Sequence, residues 1–146
     1  MHRTRLYLAV ILVLLAGFLP ACTPKVPLYN ERAYHYAIAL KVESMALMGR
    51  AAEPFERYEE RATKLELRLQ EAYEYARGRP HNEIAAMQWE ILIDPEGHLI
   101  GGFLRKWETD TTLSKRFLQE MKLQVAEAFD TISGLENGRI KPDEMD

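Results

Sequence analysis

From Tyr34 to Ala76, apolar side chains recur at a spacing that admits few architectures. Tyr34, Ile38, Val42, Met45, Met48, Ala52, Phe55, Tyr58, Ala62, Leu65, Leu69, Ala72 and Ala76 make twelve steps over 42 residues, or 3.5 residues per step. A strand exposed on one side repeats every two residues, so this period specifies helix, and its value is that of a heptad seam. Asn30 is a good N-cap, and residues 31–77 are rich in Ala, Leu, Glu, Arg and Met. Glu53 with Arg57, and Glu60 with Lys64, place an acid one turn before a base on the outer face. Gly78 supplies the stop, with Pro80 beyond it.

Pro54 interrupts this run. Its missing N–H and its ring cost about 3 kcal/mol in an uncompensated helix interior, so it either kinks one long helix or starts a second one. The stripe keeps its phase through Met48, Ala52 and Phe55, which favours a kink.

Later segments repeat the helical pattern. Asn82 is placed to cap NEIAAMQWEILI, where Ile84, Met87, Ile91 and Leu92 share a face. Asp94-Pro95-Glu96-Gly97 fits a type I turn, and its aliphatic flanks also allow a small β-hairpin over residues 89–103. Ala85, Ala86 and Met87 argue for helix instead, and Gly101-Gly102 would weaken a second strand. Phe103 to Trp107 suggest a short helix or turn, with Thr112 as the cap of the final helix. There Leu113, Phe117, Met121, Val125, Phe129 and Ile132 recur every three or four residues, Leu118, Ala128 and Leu135 widen the face, and Gly138 ends it. The expected fold is all-α, an antiparallel helical bundle over residues 31–138 whose spine is one long kinked helix, followed by a flexible tail at 139–146.

That bundle must stand on its apolar core. The chain of 146 residues has one cysteine, so neither an internal disulfide nor a cysteine zinc site is on offer. No residue set points to catalysis, a metal or a cofactor. His35, His81 and His98 fall in separate segments, Glu59–Glu60 and Asp94/Glu96 read as solvated carboxylates, and Ser44, Ser114 and Ser133 lack a nucleophile-elbow motif.

The one specific signal lies upstream of the bundle. Arg3 and Arg5 precede fourteen uncharged residues, Leu6 to Leu19. As a helix these reach roughly 21 Å, short of a hydrocarbon core roughly 30 Å thick, so they read as a signal peptide rather than a permanent span. Leu19-Pro20-Ala21-Cys22 follows, with an aliphatic residue three before the cysteine and a small one just before it. This tetrapeptide resembles the lipobox of bacterial lipoproteins; the resemblance covers the export segment, and residues 23–146 resemble no specific family.

The resemblance implies that residues 1–21 are removed and that Cys22 carries a diacylglycerol and usually a further acyl chain. Each buried methylene contributes about 0.8 kcal/mol, so two or three chains anchor firmly where one does not. Thr23, in place of aspartate, implies an outer-membrane destination facing the periplasm in a Gram-negative host. Residues 22–30 then form the lipidated cysteine and a tether, in which Pro24 and Pro27 favour extended backbone; eight residues reach roughly 25 Å. Tyr29, Tyr34 and Tyr36 fall at this junction, to be used in packing or at the lipid head groups.

Loss of Arg3 and Arg5 lowers the basic count from 19 to 17 against 22 acids, a net charge of −5. With no basic cluster, nucleic acid is not an expected partner. The expected function is that of a non-enzymatic envelope lipoprotein, a helical docking or assembly-accessory module that meets a partner protein through Met45, Met48, Phe55, Tyr58, Leu65 and Leu69. A self-associating structural lipoprotein using the same stripe is the alternative. A ligand binder or enzyme drawing on Tyr75, Trp89, His98 and Trp107 is a third reading.

Overall fold

The computed structural model describes residues 29–141. They form five α-helices: α1 Glu31–Met48, α2 Glu59–Arg77, α3 Glu83–Ile93, α4 Ile100–Asp110 and α5 Lys115–Glu136, with a short 3-10 turn at Phe55–Arg57 before α2. No strand occurs among the described residues, so the 89–103 segment is helical on both sides of its turn and not a hairpin. Helix α1 packs against α2 and α5, and α3 against α2 and α5, which closes a ring of four. Pairs of cross-helix contacts fix the directions: Tyr36 reaches Glu71 and Glu43 reaches Arg68, Asn30 reaches Glu136 and Lys41 reaches Asp130, Asn82 reaches Glu136 and the Trp89 ring meets Phe129, so ring neighbours run antiparallel. The result is an up-down-up-down bundle with α4 inserted in the last connection. Among the described residues no helix is long and apolar enough to cross a membrane.

The long kinked helix expected from the stripe is instead two helices that fold back on each other. Pro54 is extended (φ −58°, ψ 132°), and the chain leaves helical geometry between Gly49 and Tyr58. Long-range partners take up the backbone groups this frees. Leu113 N–H donates to the Ala51 carbonyl (2.7 Å), Phe55 N–H to the Thr111 carbonyl (2.9 Å), and the Trp107 indole N–H to the Glu53 carbonyl (3.0 Å). A kinked helix could not offer those carbonyls, because it would spend them internally.

The core residues follow the predicted stripe in α2, where Ala62, Leu65, Leu69, Ala72 and Ala76 are all buried. In α1 the buried face is rotated relative to it. Ala33, Ala37, Leu40, Ser44, Leu47 and Met48 point inward, while Val42 is 65% exposed. Small residues on that face let α1 approach its neighbours, with Tyr36 and Met45 packing at the margin. In α3 the inward face is Ala85, Ala86, Trp89 and Leu92, so the expected Met87 and Ile91 lie outside.

The caps also differ in part. Asn30 accepts from Ala33 N–H (2.9 Å), as expected. Asn82 does not cap α3; it is buried, and its side-chain nitrogen donates to the Ala76 carbonyl (3.0 Å) and to Glu136 Oε1 (3.2 Å). Ser114, not Thr112, caps α5 by accepting from Phe117 N–H (3.3 Å). Beyond α5, Gly138 takes φ +73°, and the chain turns back so that Ile140 N–H donates to the Gly134 carbonyl (2.9 Å) and the Ile140 side chain packs on Gly134. The segment 139–141 is therefore docked on α5 rather than free; residues 142–146 of the expected tail lie outside the described residues.

Candidate functional site

Cys22, the expected lipid-attachment residue, the signal segment and the tether up to residue 28 lie outside the described residues. Where the described chain begins, its backbone is secured. Asn30 N–H faces the Glu136 carbonyl (3.4 Å), and the Tyr75 hydroxyl donates to Asn30 Oδ1 (3.2 Å). The Glu136 side chain is fully buried and is paired with Arg79 as well as Asn82. Four segments thus meet in one polar node, which fixes the first residues of α1 to the ends of α2 and α5. Removing one partner of such a buried pair would leave a charge uncompensated, so the node holds that end of the bundle to one arrangement.

The six residues expected to meet a partner are turned inward. Met48, Leu65 and Leu69 lie within the core, and Met45, Phe55 and Tyr58 are partly buried against it. Phe55 and Tyr58 pack around Trp107, with ring centroids at 5.3 and 5.6 Å. Of the stripe as a whole only Val42 and Ala52 are exposed, because the turn at 49–58 brings its two halves together around a shared interior. The four residues of the ligand-binding reading do not gather either. Trp89 and Trp107 are core residues, His98 is exposed in the α3–α4 turn, and Tyr75 belongs to the polar node.

What the surface does offer is a cleft that the sequence reading missed. It lies where α2 passes the corner between α3 and α4 and has a volume of about 350 Å³. Leu69, Ile93, Pro95 and Leu104 supply apolar walls, with Glu66, Gln70 and Glu108 among the polar residues around them. A shallower depression continues past Ile93 and Pro95 to Glu90, Ile91 and Asp94.

The corner is built by the Asp94-Pro95-Glu96-Gly97 turn. Gly97 N–H donates to the Asp94 carbonyl (3.0 Å) and Glu96 N–H to Asp94 Oδ1 (2.9 Å), which is the geometry its sequence specifies. Helix α4 then starts hard against this turn. A Cβ on Gly101 would fall 2.2 Å from the Ile93 carbonyl oxygen, and one on Gly102 would fall 1.9 Å from that of Gly97. Only glycine permits that approach. Gly101-Gly102, which argued against a strand, thus serves a helix start whose first turn touches the preceding backbone.

The charges of the cleft are unbalanced. Four carboxylates line it and its continuation, Glu66, Glu108, Glu90 and Asp94, against the one guanidinium of Arg105. Arg105 is already engaged by Glu96. Glu66 is held above the usual carboxylate range, first because the cleft wall desolvates its carboxyl and second because the Glu108 carboxylate faces it. No group of three or more His, Cys, Asp or Glu among the described residues is arranged to hold a metal ion.

No protein-family model, curated protein or solved structure matches the chain. The described residues form an all-α bundle, with five helices packed against one another.

Proposed function

We propose that this chain is a lipid-anchored envelope lipoprotein that works without catalysis, as a helical docking or assembly-accessory module held on a membrane through Cys22. The observation that carries the proposal is Leu19-Pro20-Ala21-Cys22 at the end of an uncharged run of fourteen residues, with the only cysteine of the chain at the position where acylation requires it. In a Gram-negative host, Thr23 directs the protein to the outer membrane, facing the periplasm. The described domain is compatible with such an anchor. Its first helix is capped at Asn30, eight residues beyond Cys22, and the polar node of Tyr75, Arg79, Asn82 and Glu136 joins that end to the rest of the bundle. A bundle so placed stays close to the lipid and presents its sides to other envelope proteins.

Metabolic labelling with an alkyne-bearing fatty acid tests this in a bacterial host. The wild-type chain is expected to take up label, and Cys22→Ser to lose the label and accumulate as a precursor that retains residues 1–21. An unlabelled wild-type chain, or label persisting in Cys22→Ser, contradicts the proposal.

A further inference from the structure

We propose that the groove between α2 and the α3–α4 corner is the docking surface for an extended segment of a partner protein in which apolar side chains alternate with lysine or arginine. The inference rests on the docking reading above and adds the surface and the chemistry of what it takes.

Three features point to this occupant. Leu69 and Leu104 are nearly inaccessible core residues that floor the cleft, and Ile93 and Pro95 carry an apolar wall onward to Ile91, which is itself 49% exposed. Met87, one turn before Ile91 on α3, is 51% exposed and extends the same apolar line. Such a strip is long and open rather than enclosed, which suits a chain segment better than a compact small molecule.

Charge then selects the sign of the partner. Glu66 on α2 and Glu108 on α4 both line the cleft, and no ion pair engages either of them or Glu90 among the described residues. Two carboxylates lining one cleft without a counterion are a local cost that a bound cation would relieve. Arg105 does not supply that cation, since Glu96 holds it at the turn. The segment Lys141-Pro142-Asp143-Glu144-Met145-Asp146 of this chain carries three acids and one lysine, so its net charge has the same sign as that of the groove and does not suit it as the occupant.

The test uses the full chain purified from bacterial envelopes in a non-ionic detergent, with fluorescein-labelled nine-residue peptides as probes. One peptide alternates leucine and lysine, a second leucine and glutamate, and a third serine and lysine. Fluorescence anisotropy, with empty micelles subtracted, is expected to show binding of the leucine–lysine peptide alone. That binding should weaken as salt rises and fall about tenfold or more in the double variant Glu66→Gln/Glu108→Gln. Far-ultraviolet circular dichroism and the melting temperature confirm that the variant is folded, and amide chemical-shift changes should fall on Gln70, Ile93 and Arg105.

Equal binding of the serine–lysine peptide, or undiminished binding by the double variant, overturns the proposal. So does sedimentation showing a dimer that Glu66→Lys/Glu108→Lys dissolves, because the groove would then seat a second copy of the chain. The acyl state of Cys22 is read by mass spectrometry on the same preparation. An unacylated chain that binds the peptide therefore contradicts the anchor and not the groove, and an acylated chain that fails to bind does the reverse.

Discussion

Glu66 and Leu65 are neighbours on α2 with opposite consequences for stability. Burial and the Glu108 carboxylate raise the Glu66 carboxyl above the range it has in an unfolded chain. The folded state therefore holds its proton to higher pH, and ionisation opposes folding: the cost is absent below the unfolded glutamate range and is complete above the raised folded one. Glu66→Gln is accordingly expected to raise the melting temperature at pH 7 and to make no difference near pH 3, as followed by circular dichroism across that range. A benefit that is the same at both pH values would contradict the charge account. Leu65 is fully buried, and Leu65→Ala should lower stability by about 3 kcal/mol, seen as a lower urea midpoint with an unchanged slope. Retained stability would mean that Leu65 lies on a surface, as the docking stripe had it. Side-chain period alone does not separate these two placements, since a seam toward a partner and a seam toward the same chain have one and the same spacing.

At the scale of elements, what could be read from the residues was what depends on near neighbours in the chain. Asn30 as a cap, Gly78 and Gly138 as stops, the Asp94–Gly97 turn and the buried face of α2 are all set by residues within one or two turns. The division at Pro54 was not legible, because the groups that compensate it, Trp107, Thr111 and Leu113, come more than fifty residues later. The rotated face of α1 escaped notice for another reason. Ala33, Ala37 and Ser44 carry little apolar weight in a pattern, yet their small size is what lets α1 pack closely. The cleft escaped altogether, since its walls come from three separate helices and only the glycine pair at 101–102 hinted at a close approach. That approach is testable on its own: Gly102→Ala must displace the turn carbonyl of Gly97, and we expect a loss of about 3 kcal/mol by urea denaturation. A neutral Gly102→Ala would show that the α3–α4 corner is free to open.

Over the whole molecule, most of the apolar stripe is spent on the fold, and the proposed contact with a partner moves to a groove at the side of the bundle. The polar node around Glu136 and the corner at Gly97 sit at different connections of the chain, so the end at which the described residues begin and the surface proposed to meet a partner are held separately. The lipoprotein proposal itself depends on the anchor, which rests on Cys22 and the residues before it. The most direct test is the mass of the chain isolated from bacterial membranes, measured intact and on its Cys22 peptide. The expected result is a chain that begins at Cys22 and carries the added mass of a diacylglycerol, with or without a further acyl group. A chain that retains residues 1–21, or an unmodified Cys22 thiol, would contradict it.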